Sequence, residues 1–151
     1  MQFRFEQRVP AAPAAVFAFF ADPGNLAVLH RDDRAFRLLR HSGAVAPGNT
    51  VWFELRVARV LPVVLGFEQQ AWEPPHWFAE QMVHGPFARF THRHEFEPRA
   101  DGTLVRDLLD LRLPRVYGGE RALRCVVAPG LRRRFQLRQD SLARIFSKGS
   151  P

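Results

Sequence analysis

The alternation of apolar and polar positions predicts β-strands over most of this chain. Residues 2–9 alternate strictly, which predicts a first strand that ends at Pro10. Runs rich in β-branched and aromatic residues, bounded by turns that contain Gly and Pro, predict further strands. These runs cover residues 36–40, 50–60, 63–72 and 77–84, with Leu61-Pro62 as a tight connection between the second and third of them.

The longest alternating segment, Gly85 to Pro114, predicts a single antiparallel hairpin and brings the expected number of strands to seven. Its turn is residues 99–102, which end in an Asp-Gly pair that tolerates left-handed backbone angles. Three polar residues, His92, His94 and Asp107, then lie on faces that are otherwise apolar. The register set by this turn places Phe96 opposite Val105, His94 opposite Asp107 and His92 opposite Leu109.

Helical spacing of apolar residues is found in two regions. After the first strand, Pro13 suits the first turn of a short helix, and Asp22-Pro23 predicts a second one from Gly24 to about Leu29. After the hairpin, residues 120–127 can be helical and Pro129-Gly130 opens a longer helix. That helix runs to about Phe146, with an apolar stripe formed by Leu131, Phe135, Leu142, Ile145 and Phe146.

The length of 151 residues fits a single domain, expected at residues 1–147, with residues 148–151 frayed. Phenylalanine is abundant, at 14 residues against one tyrosine, which favours a wide apolar interior because Phe needs no hydrogen-bond partner. The one cysteine, Cys125, has apolar neighbours that predict a buried, inert thiol. No signal peptide and no membrane-spanning stretch is recognised, so a cytoplasmic location is expected.

The order of the elements is one strand, two short helices, six strands and a long C-terminal helix, which predicts an α+β fold. A curved antiparallel sheet needs a cover for its concave face, and the long amphipathic helix is the available cover. A helix that lies across a strongly curved sheet leaves a gap beneath it. The pattern therefore also predicts an internal cavity that suits a ligand.

This order resembles the helix-grip fold of the START and birch-pollen-allergen superfamily, also called SRPBCC, over almost the whole chain. The segments that carry the resemblance are residues 13–20, 22–26, 72–78, 85–87 and 102–107. The chain looks most like the bacterial ligand-binding or polyketide cyclase/dehydrase-like branch. This resemblance implies a curved seven-stranded antiparallel sheet wrapped on the C-terminal helix. It implies less about function, because the superfamily reuses one cavity for many purposes.

The opposed residues His94 and Asp107 are the candidates for chemistry. An imidazole beside a carboxylate can form a buried pair, because a buried charge needs a partner. The pair either satisfies only itself or forms a polar patch on the cavity wall that orients a ligand or moves a proton. His92, His94 and Asp107 also have the residue types of a two-histidine, one-carboxylate metal site. Since two residues along a strand span roughly 7 Å, no metal is expected.

Ligand contacts are expected from the short helices, the sheet and the long helix. If Trp72 faces Phe78 across the Pro-Pro turn, the strands on either side share one partly polar face. A bulge would swap this parity, and the sequence leaves that alternative open. The expected contacts are Phe17, Phe20, Trp72, Phe78, Met82, Phe90, His92, His94, Leu109 and Phe135.

Three functions fit these features. The favoured one is a carrier or sensor that binds a small hydrophobic or amphipathic molecule in the cavity. The alternative is a polyketide cyclase- or dehydratase-like enzyme in which His94 acts as general acid or base and Asp107 fixes its tautomer. The third is an RNA- or anionic-surface-binding module. It would use a basic surface formed by Arg121, Arg124, Arg132, Arg133, Arg134 and Arg138.

Several classes of function lack support in the sequence. The net charge of +7 is scattered outside the C-terminal segment, so nucleic acid is not the expected partner. No nucleophile elbow, P-loop or dinucleotide fingerprint occurs, and no cofactor is expected. The ligand, a homodimeric state and whether the protein is an enzyme are left open by the sequence.

Overall fold

The computed structural model of the protein describes residues 1–57 and 60–147. Its strands are β1 (Gln2–Val9), β2 (Phe36–His41), β3 (Thr50–Val57), β4 (Leu61–Glu73), β5 (Trp77–His84), β6 (Arg89–Arg99) and β7 (Gly102–Arg112). Its α-helices are α1 (Pro13–Ala21), α2 (Asn25–Leu29), α3 (Gly119–Ala122) and α4 (Ala128–Ser147). A 3₁₀ turn (Arg115–Tyr117) and a π-helical segment (Leu123–Val127) lie before α4.

The seven strands form one antiparallel sheet in the order β1-β7-β6-β5-β4-β3-β2. Sequence neighbours pair along the sheet, and β1 joins it by pairing with β7. The helix α4 lies over the inner face, where Phe135 stacks on Phe5 with ring centroids 3.9 Å apart. The predicted α+β fold, with two short helices after the first strand and a seven-stranded sheet wrapped on a long C-terminal helix, is confirmed.

The register of the β6–β7 hairpin is confirmed along its full length. Arg99 pairs with Gly102 at the turn, and His94 consequently lies opposite Asp107. The inward positions of β7 alternate as predicted, because Val105, Asp107, Leu109 and Leu111 are all buried while the residues between them are partly exposed. The hairpin therefore carries its polar residues on the covered face of the sheet.

The connection between β3 and β4 differs from the expectation. The strand β3 ends at Val57, and β4 already begins at Leu61, so Leu61-Pro62 belongs to a strand. Proline is tolerated at Pro62 because β5 pairs with β4 only from Gly66 onward, which leaves one edge of β4 free there. The predicted strand 50–60 also covered Ala58 and Arg59, which lie outside the described residues.

The C-terminal segment is helical from Gly119 to Ser147 rather than starting anew at Pro129. The turn into it uses Gly118 and Gly119, both with positive φ, at 89° and 53°. The π-helical segment directly before α4 widens the helix, and a wider turn accommodates a proline that cannot donate a backbone hydrogen bond.

Two local predictions were wrong. Cys125 is exposed rather than buried and lies at the cavity lining, while Leu123, two residues earlier in the π-helical segment, is buried in the core. Asp22 does not cap α2: it ends α1, and Gly24 precedes α2 instead. Its carboxylate accepts a hydrogen bond from the Gly24 backbone N–H at 2.9 Å, which supports the turn between the two helices.

The buried side chains form two hydrophobic clusters. Cluster one lies near α1 and contains Val9, Val16, Phe17, Leu29, Val45, Phe78, Phe96, Val105 and Leu142. Cluster two lies near the start of α4 and contains Val51, Leu65, Phe67, Phe90, Leu109, Leu111, Leu123 and Phe135. Over residues 1–57 and 60–147, no helix is long and apolar enough to cross a membrane.

The tight approach of β1 to the hairpin turn gives a stability prediction. Gly102 has φ +140°, and a Cβ built there would lie 2.1 Å from the Val9 carbonyl oxygen. We expect Gly102→Ala to lower the free energy of unfolding by about 2–4 kcal/mol, since it adds a backbone clash to an unfavourable φ. Urea denaturation measures this change.

Gly48 provides the matched control for this substitution. It also has a positive φ, at +87°, but nothing lies within 4 Å of its built Cβ. The Gly48→Ala variant should therefore lose only about 1 kcal/mol, from backbone conformation alone. Equal losses in the two variants would contradict the claim that the Val9 carbonyl restricts the turn.

Candidate functional site

A cavity of about 1110 Å³ lies between the sheet and α4. Most of its lining is apolar, and seven of the eight residues of cluster two, all except Leu123, belong to it. Polar residues line it at two places. One is the inner wall, at Gln69, Glu80 and the two histidines of β6, and the other is a rim that includes Asp32, Asp33 and Arg34.

The structure places seven of the expected ligand contacts in this lining: Phe20, Phe78, Phe90, His92, His94, Leu109 and Phe135. Three others lie elsewhere among the described residues. Phe17 packs edge-on against Phe96 at 5.5 Å, within cluster one. Trp72 is 41% exposed near the end of β4, and Met82 sits beside Gly85, where the β4–β5 pairing shifts register.

A layer of six polar side chains separates the two hydrophobic clusters, and we call it the polar layer. Its members are Gln69 on β4, Glu80 on β5, His92 and His94 on β6, Asp107 on β7 and Arg138 on α4. On each of β6, β7 and α4 the polar residues follow one cluster and precede the other. The polar layer thus crosses the molecule from the sheet to the helix.

Asp107 is the centre of the polar layer. Its Oδ1 atom lies 3.0 Å from His92 Nε2, 2.7 Å from His94 Nδ1 and 2.9 Å from Arg138 Nη1. Burial alone would raise the pKa of this carboxyl, but the positive charge of Arg138 and the contacts with both histidines hold the pKa well below its usual range. Asp107 is therefore a buried anion.

Glu80 forms the second anionic position, on the cavity side of the histidines. Its Oε1 atom lies 3.3 Å from His92 Nδ1 and 3.9 Å from His94 Nε2, and its Oε2 atom accepts a hydrogen bond from Gln69 Nε2 at 2.9 Å. Burial would raise the pKa of Glu80, but the contacts with His92 and His94 outweigh it and lower the pKa. Strand parity alone gave no reason to connect Glu80 with the histidines.

His92 bridges the two carboxylates, with Nδ1 facing Glu80 and Nε2 facing Asp107. A carboxylate only accepts hydrogen bonds, so an imidazole with both nitrogens against carboxylates carries a proton on each. Although burial opposes the charge, Asp107 and Glu80 raise the pKa of His92. Both carboxylate contacts thus favour the protonated form of His92.

His94 has one nitrogen committed and one open. At 2.7 Å from Asp107 Oδ1, two acceptors would repel, so Nδ1 carries the proton, and this contact outweighs the 3.4 Å approach of Arg138 Nη2 to the same atom. The Nε2 atom lies 3.9 Å from Glu80, beyond hydrogen-bond range. Phe78 and Phe20 hold the ring at centroid distances of 4.4 and 5.7 Å.

Two buried polar atoms on the cavity wall have no hydrogen-bond partner among the described residues: His30 Nδ1 and Gln69 Oε1. His30 lies at the end of α2 and stacks on Phe36 at 4.3 Å. Burial, with the charges of Arg138 and Arg134, lowers the pKa of His30 to about 3, so its ring is neutral. Buried polar groups are normally paired, so both atoms favour a polar occupant of the cavity.

The predicted basic surface is smaller than expected. Arg138 is 6% exposed and pairs with Asp107, while Arg134 binds Asp33 at 3.0 Å. Arg124 pairs with Glu120 on the surface. Arg138 was therefore wrongly assigned to a surface, because its helical spacing from Phe135 and Leu142 turns it inward.

The sequence left open whether a bulge changes which side chains of β4 face inward. Such a bulge is present, and it decides which residues reach the cavity. The β4–β5 pairing shifts between Gln69 and Ala71, so Gln69, rather than Gln70, pairs with Glu80 and faces inward. Gln69 is 4% exposed, whereas Gln70 lies at the surface. Strand parity could not have identified Gln69, because one bulge reverses it.

Removal of the Arg138 charge gives a second stability prediction. The Arg138→Met variant leaves Asp107 as a buried anion without its cation, so we expect the free energy of unfolding to fall by about 3–5 kcal/mol. Arg132→Met, on the exposed side of the same helix, should change it by less than about 0.5 kcal/mol. Guanidinium denaturation compares them, and similar losses in both would contradict the assigned ion pair.

Comparison with known proteins bears on the same architecture. Residues 1–146 match the model of a family described as polyketide cyclase / dehydrase and lipid transport. A search of curated proteins found no match.

Solved structures with similar folds cover nearly the whole chain. A protein from Rhodobacter sphaeroides has a TM-score of 0.75 at 15% identity, with 97% of this chain and 92% of that chain covered. The protein TTHA0849 from Thermus thermophilus has a TM-score of 0.71 at 20% identity, with 99% and 100% covered. Ara h 8.0201 has a TM-score of 0.69 at 12% identity, with 99% of both chains covered.

These structural similarities establish the helix-grip fold, and the family model adds a relationship in sequence. The chain therefore belongs to the polyketide cyclase / dehydrase and lipid transport family of the SRPBCC superfamily.

Proposed function

We propose that the protein binds a small hydrophobic or amphipathic molecule in the cavity between the sheet and α4, as a carrier or sensor. The observation that carries this proposal is the combination of a large apolar cavity with two unpartnered polar atoms in the described part of its wall. Its volume of about 1110 Å³ is slightly above the usual range of ligand pockets, roughly 300–1,000 Å³, so a small ligand has ample room.

The distribution of the lining gives the ligand an orientation. The apolar part of the ligand lies against cluster two, at residues such as Leu65, Phe67 and Leu111. Its polar part lies toward Gln69 of the polar layer, whose Oε1 accepts a hydrogen bond, and toward His30 at the end of α2, whose Nδ1 offers a further polar contact. A hydroxyl-bearing amphipathic molecule fits both requirements.

A second function is favoured by the state of His94. This side chain lines the cavity, and its Nε2 atom is beyond hydrogen-bond range of Glu80 while Nδ1 is fixed by Asp107. An imidazole whose Nδ1 is held by Asp107 can accept a proton from a substrate at Nε2 and return it to a leaving hydroxyl. This is the arrangement that a cyclase- or dehydratase-like reaction would use. His92 is less suited, because both of its nitrogens face carboxylates.

Filling the cavity tests the binding proposal. Val63 on β4 lines the cavity, so we expect Val63→Trp to weaken binding of the fluorescent amphipathic probe anilinonaphthalene sulfonate. The expected loss is at least about tenfold, since extra volume in a packed site costs roughly 1–3 kcal/mol. Fluorescence titration gives the affinities, and native mass spectrometry of the purified wild type should show a bound amphipathic compound.

The neighbouring residue Val64 is the matched control. It occupies the next position of the same strand, does not line the cavity, and receives the same substitution. Val64→Trp should bind the probe as the wild type does. The binding proposal would be rejected if the two variants bound equally, or if probe binding occurred only after thermal unfolding.

The enzymatic alternative is tested with the compound that co-purifies with the protein. If the alternative holds, wild-type protein converts an added excess of this compound to a product that has lost one water, and His94→Gln lowers the rate by about 10²–10⁴-fold while still binding it. His84→Gln, outside the polar layer, should retain the rate. An unchanged compound with wild-type protein, or equal rates in both variants, leaves binding as the function.

A further inference from the structure

We infer that Glu80, His92 and His94 form a binding site for a divalent transition-metal ion on the wall of the cavity. The ligand atoms would be Glu80 Oε1, His92 Nδ1 and His94 Nε2, which all lie within 4.8 Å of one another. These three side chains would bind the ion whichever organic ligand the cavity accepts.

The backbone explains how three ligands converge. Glu80 and His92 are direct partners across the β5–β6 pair, and His94 is two residues further along the same face of β6. The two imidazole rings do not point apart as strand spacing suggested, because their centroids lie only 3.9 Å from each other. The spacing of roughly 7 Å between alternate strand residues, from which no metal was expected, therefore does not keep the two imidazoles apart.

The distances are close to those of a metal site. The Glu80 Oε1 atom lies 3.3 Å from His92 Nδ1 and 3.9 Å from His94 Nε2. In a tetrahedral site with bonds of about 2.0–2.1 Å, ligand atoms are separated by roughly 3.3 Å. Small rotations of the side chains would bring the three atoms to this geometry.

The orientation of the histidines is the stronger argument. Each directs one nitrogen toward Glu80 and its other nitrogen toward the same oxygen of Asp107, at 3.0 Å for His92 and 2.7 Å for His94. Metal-bound histidines commonly donate their second N–H to a carboxylate, which fixes the ring and its tautomer. Asp107 is held in turn by Arg138 at 2.9 Å, and a glutamine of β4 holds Glu80 Oε2.

Charge and access fit a divalent cation. The two carboxylates, Glu80 and Asp107, outnumber the single guanidinium of Arg138, so the side chains around the site leave an excess of negative charge that a cation can meet. Glu80, His92 and His94 line the cavity and Asp107 does not, so the ion would have its open coordination positions on the cavity side. Two imidazoles and one carboxylate favour ions such as Zn²⁺ and Fe²⁺ over Mg²⁺ or Ca²⁺.

The test uses the 151-residue chain after it has been freed of metal by a chelator and then dialysed. We expect one equivalent of Zn²⁺ to bind in calorimetry, with Mg²⁺ at least about 100-fold weaker. Co²⁺ should give the visible absorption bands of a nitrogen- and oxygen-ligated site. With ¹⁵N-labelled imidazoles, Zn²⁺ should shift Nδ1 of His92 and Nε2 of His94 as the ligating atoms.

Matched variants locate the site. Glu80→Gln and His94→Gln should each weaken Zn²⁺ binding by about 100-fold or more. The controls Glu95→Gln and His84→Gln change the same residue types on the same two strands outside the site, and they should bind as the wild type does. If a variant fails to fold, the ¹⁵N chemical shifts of the imidazoles in the wild type still show which nitrogen atoms bind Zn²⁺. Sub-stoichiometric Co²⁺ binding, shifts at other histidines, or equal affinity in His94→Gln and His84→Gln would overturn the inference.

Discussion

One buried carboxylate oxygen, Asp107 Oδ1, connects the parts of this molecule that sequence separation keeps apart. It contacts two histidines of β6 and an arginine of α4, so the β6–β7 strand pair and the covering helix share a single anion. A helix laid over a curved sheet could slide or tilt if apolar contacts alone held it. The charged pair between Arg138 and Asp107, at 2.9 Å, fixes the position of α4 because it requires one particular placement of the helix. Apolar packing alone tolerates several placements.

The same contact explains why the interior divides into two hydrophobic clusters with a cavity beside one of them. The polar layer spans from β4 to α4, and apolar side chains pack on both of its sides. On the α1 side, Phe17, Phe78 and Phe96 pack closely against one another and fill the space. On the other side the curvature of the sheet holds β3 and β4 away from α4, and the volume stays open. The polar layer thus forms one wall of the cavity on one side and contacts the packed side chains of cluster one on the other.

Much of this arrangement could be predicted from local rules, and the remainder could not for identifiable reasons. The opposition of His94 and Asp107 follows from the Asp-Gly turn alone, because a hairpin turn sets the register of both strands. The inward position of Gln69 required knowledge of a bulge that one sequence does not reveal. The burial of Arg138 did have a signal, its spacing of three residues from Phe135 on the apolar stripe. The adjacent run of arginines obscured that signal, because a run of charges suggests a solvated face.

The retention of the polar layer is itself an argument about function. Buried ion pairs are weak sources of stability, and apolar side chains of similar volume often replace them with no loss. A protein with 14 phenylalanines could have filled this wall with apolar side chains, and it instead carries two carboxylates, two histidines, an arginine and a glutamine there. Part of that set faces the cavity, and the part behind it orients the groups in front. Such a division between contacting and orienting side chains is typical of sites that bind or act on something.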